Sequence, residues 1–292
     1  MRFSSIRGLS RASVTLALLL SIFAVRPCFA DFKFAFISDT QGHDEDGVND
    51  DVLAAVMGRI KSEGVDFILV GGDMVSGTAH TREHANQLSG WKKAMSKYKI
   101  PFYAAASNHV IQSETSERVF RSVFEMPQNG PAVLKELVYS FSHDNAHFIS
   151  IDTEEYGNFH NIGKKQFAWL RRDLKKNRKK VVFVFGHDPA FPVRSHVGGS
   201  LDRFPEKRDE LWALFRDHDV EAYLCGHEHL YNKSARDGVY QIIAGGAGGG
   251  LVAAPENGGF HHYVVVNVKD SGECEVTVKD IDGVVKDSFV LQ

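Results

Sequence analysis

The stretch Val220-Glu-Ala-Tyr-Leu-Cys225, followed at once by Gly226-His227-Glu228-His229, decides how this chain reads. Its mostly apolar, β-prone residues predict a buried strand, and the glycine ends it. Two imidazoles, one residue apart, stand just past that end, where they can reach one metal ion or two adjacent ones. A histidine pair in a loop is common and by itself says little. Here four other segments repeat the arrangement: Asp39-Thr40-Gln41, Gly71-Gly72-Asp73, Asn108-His109 and Gly186-His187 each follow an apolar run of β type. Packing does not demand polar residues at five strand ends.

Outward from these points, strands are predicted over 32–38, 66–70, 102–106, 181–185 and 220–225. Helices are predicted over 49–62, 83–99, 164–176 and 206–218. The first helix carries Val52, Val56 and Ile60 on one face, and Gly64 stops it. Segments 139–142 and 147–151 flank Asp144-Asn145 and predict a hairpin. Beyond residue 239 the pattern is nearly all β, with strands over 240–244, 262–268, 273–278 and 284–290. Alternating strands and helices with a β-rich tail predict an α/β layered fold. In such sheets ligands bind outside the carboxyl ends of the strands.

Residues 1–30 read as a secretory signal peptide. Arg2, Arg7 and Arg11 precede an apolar run over 14–25, and Cys28-Phe29-Ala30 resembles a cleavage site. Pro27 stands where a lipoprotein signal wants a small residue. The expectation is a single domain over 31–292, secreted or periplasmic, with no stable membrane anchor. Removing residues 1–30 takes four arginines and no acid, leaving 30 basic against 37 acidic side chains, a balance of −7. No basic stripe or aromatic–basic interleaving appears, which argues against a nucleic-acid scaffold as partner. The basic run Lys175 to Lys180 reads as a solvated helix end. Cys225 and Cys274 are too few for a disulfide framework, and Cys225, ending a buried strand, reads as a free thiol.

The candidate set is therefore Asp39, Gln41, Asp73, Asn108, His109, His187, His227 and His229. Carboxylates and imidazoles suit Zn, Mn or Fe, and a carboxylate can bridge two ions. Two ions about 3.5–4 Å apart can clamp the attacking and leaving oxygens of a phosphoryl displacement.

At this point the chain resembles the calcineurin-like metallophosphoesterases, the superfamily that includes purple acid phosphatases and cyclic-nucleotide phosphodiesterases. Asp39-Thr40-Gln41 stands for the family's Asp-x-His, Gly72-Asp73 for its Gly-Asp, and Ser107-Asn108-His109 for its Gly-Asn-His. Gly186-His187 and Gly226-His227-Glu228-His229 match the last two metal segments. The likeness implies a four-layer αββα sandwich with the metal site at the carboxyl ends of the strands. It also implies two divalent or trivalent ions (Fe, Mn or Zn). Asp39 and His229, with Gln41 beside them, would hold the first and Asp73 would bridge. Asn108, His187 and His227 would hold the second, with His109 over the substrate. The implied activity is hydrolysis of a small phosphate ester, monoester or diester, with water or hydroxide held by the metals as nucleophile.

The chain departs from the family pattern at three places. Gln41 replaces a histidine, which leaves His43 as another ligand or as part of a solvated turn. Ser76 stands where purple acid phosphatases have tyrosine. Val110 replaces the acid that orients the Asn-His histidine, so His109 needs another partner, sought in Asp188 or His196. The loop over 191–204 and the glycine run over 245–250 are expected to rim the pocket. Arg194 there is either an anion-binding residue or a plain surface arginine. A rival class is a family member that binds metal and a phosphorylated ligand without turnover. His109 favours the enzyme, since a metal-binding module has no need of it.

Overall fold

The computed structural model describes residue 1, residues 30–44 and residues 46–291. All of the signal reading except its two end residues lies outside these, Cys28 included. The first half of the chain runs β1 Phe32–Ile37, α1 Asp50–Glu63, β2 Phe67–Val70, α2 Thr81–Ser96, β3 Phe102–Ala104 and α3 Ser116–Val123. Then come β4 Tyr139–His143, β5 Ala146–Ser150, α4 Lys164–Lys176, β6 Val181–Phe185 and α5 Pro205–Arg216. Six more strands, β7 Ala222–Cys225, β8 Tyr231–Arg236, β9 Val239–Ala244, β10 His262–Val268, β11 Cys274–Asp280 and β12 Val285–Leu291, bring the total among the described residues to twelve.

These strands form two six-stranded sheets, ordered β12-β11-β10-β1-β2-β3 and β4-β5-β6-β7-β9-β8. Each sheet contains a parallel run: β1, β2 and the edge strand β3 in one, β5, β6, β7 and β9 in the other. The sheets face each other through phenylalanines. Phe34 lies edge-on to Phe148 at 5.2 Å and to Phe183 at 5.0 Å, and Phe67 meets Phe148 at 5.1 Å. Edge-to-face pairs at such separations favour the contact beyond the apolar area they bury. Helices cover the two outer faces, which makes the four-layer sandwich.

The helices form for local reasons that also place the site. In α1 the Asn49 side chain accepts from the Val52 amide, Asp50 and Asp51 occupy the first turn, and Gly64 closes the helix in the left-handed region at φ 68°. Its buried stripe is Leu53, Val56, Met57 and Ile60, which includes the predicted Val56 and Ile60, while Val52 is half-buried at the margin. From α2, buried Trp91 donates Nε1–H to Thr40 Oγ1 at 2.9 Å, and that hydroxyl donates to the Met74 carbonyl at 2.8 Å. The helix thereby fixes the loops that follow β1 and β2. Cys225 and Cys274 are both free and buried. Among the described residues no helix is long and apolar enough to cross a membrane.

Candidate metal centre

The carboxyl ends of β1, β2, β6 and β7 converge, and Asp39, Asp73, His187 and His227 sit two or three residues past them. Asp39, Asp73 and His227 have positive φ, at 62°, 44° and 66°. The left-handed region costs an L-residue on the order of 1–2 kcal/mol, and Asp and His bear it better than most. The chain turns sharply at each strand end, and the side chain is thrown toward the opposite sheet. Glycines make room for this approach. A Cβ on Gly226 would lie 2.1 Å from Asp39 Oδ2, and one on Gly72, at φ +101°, would lie 2.8 Å from His187 Nδ1.

Two sets of ligand atoms result, Asp73–His187–His227 and Asp39–Asp73–His229, and Asp73 belongs to both. Its Oδ2 is 3.3 Å from His187 Nε2, while His229 Nε2 is 3.5 Å from Asp39 Oδ1. Each imidazole has one nitrogen on a backbone carbonyl: His187 Nδ1 on Gly71 at 2.9 Å, His227 Nε2 on Gly199 at 3.2 Å, and His229 Nδ1 on Gly250 at 2.9 Å. A nitrogen that donates to a carbonyl fixes the tautomer and leaves the other nitrogen to offer a lone pair. The free nitrogens of His187 and His227 face each other at 3.1 Å. Two lone pairs that close repel unless a proton or a cation lies between them.

The pKa pattern has the same origin. His187 is opposed by burial, but the adjacent Asp73 carboxylate carries it up to about 10. His229 is likewise opposed by burial and raised to about 9 through Asp39. Burial and the neighbouring His187 push His227 down to about 2. Asp73 is held below the usual carboxylate range: burial works against this, and His187, His109 and His227 outweigh it. Metal ions fit this donor set on a second count. Gln41 Oε1 and Asn108 Oδ1 are both buried and accept no hydrogen bond, as expected of neutral oxygens available to a cation.

Gln41 is directed at the first set. Its Nε2 lies 3.2 Å from both Asp73 Oδ2 and His229 Nε2. His43 is exposed and joins neither set. His109 exposes 37% of its side chain, with its backbone N–H on Asp73 Oδ1 at 3.1 Å and its Nε2 3.9 Å from Asp73 Oδ2. Its orienting group corrects the sequence expectation. Nδ1 bonds the Ser76 carbonyl at 2.6 Å, so a main-chain oxygen replaces the missing acid, and neither Asp188 nor His196 does so. Asp188 instead bonds His160, and the His196 ring lies against His227 with centroids 3.8 Å apart. Arg194 is exposed beside Lys233 and Lys286, in a cavity separate from the one that holds Asn108.

Sequence reasoning missed Glu228, which stands between two candidate ligands. It is wholly buried, and its carboxylate accepts backbone N–H groups from Val193 at 2.7 Å, Arg194 at 2.6 Å and His196 at 3.1 Å. It holds the loop that rims the site. A charged residue between two histidines was the available signal. The glycine run contributes as expected, since Gly248, Gly249 and Gly250 line a cavity with Gln41, His109 and His229.

Comparison with known proteins agrees with this geometry. The family model described as calcineurin-like phosphoesterase matches residues 32–231. Tartrate-resistant acid phosphatase type 5 of Oryctolagus cuniculus is 27% identical over 164 residues, which cover 50% of this chain and 49% of that protein. The chain thus spans about half the length of the curated relatives it matches. Among solved structures, the purple acid phosphatase PPD1 of yellow lupin superposes with a TM-score of 0.72 at 16% identity, covering 91% of this chain and 54% of that one. GAP50, described as the anchor in the inner membrane complex of Plasmodium, superposes with a TM-score of 0.68 at 16% identity, covering 90% and 89%. At that identity these two likenesses speak for the fold alone.

Proposed function

This chain belongs to the calcineurin-like phosphoesterase family, and from that premise we propose that it hydrolyses small phosphate esters at a dinuclear metal site. The observation that carries the reading is the sharing of Asp73 between two ligand sets. Asp39, Asp73, His229 and the Gln41 oxygen would hold one ion, and Asp73, Asn108, His187 and His227 the other. When bound, such a pair supplies a Lewis-acid clamp and a nucleophile activated near neutral pH.

The chain's own residues supply the rest. Asn108 lines a cavity of about 650 Å³ next to the second ligand set, which gives the ester an approach. His109 has Nδ1 tied to the Ser76 carbonyl, so as imidazolium it presents a proton at Nε2 to the leaving oxygen. Ser76 brings no phenolate, and its hydroxyl is spent on the Gly42 and Gly47 carbonyls. The charge-transfer colour of a tyrosine-ligated iron is therefore not expected.

A second reading, metal and ligand binding without turnover, draws on Gln41 in place of a histidine and on Val110 in place of the orienting acid. Nitrophenyl phosphate turnover by the full chain, against a metal-stripped control, separates the two. Turnover restored by Fe, Mn or Zn supports the enzyme, and none with any of them supports the binding module. We also place the chain outside the cytoplasm, beginning at Asp31. N-terminal sequencing from the native host tests this, and an acylated Cys28 overturns it.

A further inference from the structure

Past the carboxyl ends of β5 and β6 lies a second polar cluster that the paired ligand sets do not use. Asp152, Glu154 and Asp188 are 0%, 1% and 0% exposed. Among the described residues no lysine or arginine pairs with any of them; their ion-pair partner is His160, and His187 lies near enough to Asp188 to act on it. The His160 Nδ1 is 2.7 Å from Asp188 Oδ2 and 3.0 Å from Glu154 Oε1. The N–H at its Nδ1 goes to Asp188, and Glu154 Oε1, Asp188 Oδ1 and Asp152 Oδ2 have no hydrogen-bond partner. Glu154 and Asp188, each with an unpartnered oxygen, face one imidazole, and Asp152 lies close to Glu154. Buried carboxyl groups either keep a proton, as burial makes Asp152 (raised to about 8) and Asp188 (raised well above the usual carboxylate range) do, or give it up to bind a cation.

The spacing suits a metal. One ligand atom each from Glu154, His160 and Asp188 lies within 4.8 Å of the others. Bonds of about 2.0–2.2 Å put neighbouring ligand atoms of one tetrahedral ion roughly 3.3–3.6 Å apart, so a small outward movement from 2.7 and 3.0 Å admits the ion. Access is open on one side, where Glu154 and His160 line the same cavity of about 650 Å³ as Asn108. Water can complete a coordination shell from there. We propose that Glu154, His160 and Asp188 form a third cation site on the wall of the cleft. Two carboxylate oxygens and one imidazole suit Mn²⁺ or Zn²⁺. The ion would present a positive charge to any second anionic group of a molecule whose phosphate sits at Asn108.

Mn²⁺ alone tests this on the full chain, stripped of metal and then titrated, with bound ions counted by calorimetry and plasma emission. Three ions per wild-type chain, falling to two in Glu154→Gln and in His160→Gln, support the site. Near-native circular dichroism shows that each variant is folded, and if one is not, the other carries the test. Two ions in the wild type overturn the third site and leave the dinuclear reading standing, the cluster being then an ion pair only. Three ions in both variants overturn it too, because the extra ion then lies elsewhere. One ion or none in the wild type overturns the third site and the dinuclear reading together.

Discussion

Asp73 is the residue on which both ligand sets depend, so its charge is the most sensitive single feature of the site. Asp73→Asn keeps the shape and removes half of what two cations would share. At least one ion per chain should be lost and hydrolysis nearly abolished, and plasma emission with a turnover assay checks both. Full metal content with normal turnover would sink the bridging role. His109 tests chemistry apart from metal binding, because its side chain reaches Asp73 only at 3.9 Å. His109→Ala should keep both ions while kcat falls by about 10²–10⁴, the usual worth of a positioned acid. The loss should be smaller for a nitrophenolate leaving group than for an alkoxide. A variant that loses an ion would make His109 a ligand.

Elements hold these residues through contacts that single substitutions can break. Asn49 caps α1 and also donates Nδ2–H to the Gly248 carbonyl at 2.8 Å, beside the turn whose Gly250 carbonyl orients His229. Asn49→Ala should lower stability by about 1–2 kcal/mol and weaken metal binding at the first site, as thermal unfolding and chelator competition would show. An unmoved chelator curve would confine Asn49 to capping. At the head of β10, His262 is wholly buried, with Nδ1 on the Phe260 carbonyl at 2.7 Å and Nε2 unpartnered. Burial lowers it from 6.5 to about 4. A depressed histidine contributes stability that is present above pH 6.5 and lost as pH falls toward 4. That amounts to ~3 kcal/mol at about 1.4 kcal/mol per unit. His262→Asn, which keeps a donor near Nδ1, should flatten that part of the stability–pH curve, and an unchanged slope would assign it to other groups.

The sequence-derived expectations were clearest where element and motif coincide. Five polar clusters at strand ends could be read because the apolar runs before them mark the ends. Helix α3 could not, being eight residues long with only three apolar side chains. Strand β8, Tyr-Asn-Lys-Ser-Ala-Arg, is a polar edge strand with no alternation to betray it. Glu154, His160 and Asp188 come together only through the tertiary fold, so no spacing announces them. The same holds for the Ser76 carbonyl, since main-chain oxygens leave no trace in the sequence.

At the scale of the whole molecule, the candidate ligands are divided between the sheets. Asp39 and Asp73 follow strands of one, and His187, His227 and His229 follow strands of the other. Ions bound between them, as proposed, would tie the layers together and favour the folded state by mass action. At a hundredfold excess over Kd each contributes ~2.7 kcal/mol, or roughly 5–10 °C for a domain of this size. Chelation should lower Tm by that order in the wild type and far less in Asp73→Asn, by scanning calorimetry. An equal drop in both would place the stabilising ion elsewhere.

That division also fixes when the centre can exist during biosynthesis. The last ligand, His229, emerges from the ribosome late, and β1, which carries Asp39, waits longer still for its antiparallel neighbour β10 at His262–Val268. Chains grow from the amino end and their domains fold as units, so no partly made chain holds the complete ligand set. On the proposed reading, ions would therefore be acquired in whichever compartment the chain finishes folding, and the metal supply there, rather than at the site of synthesis, would decide which ions it carries.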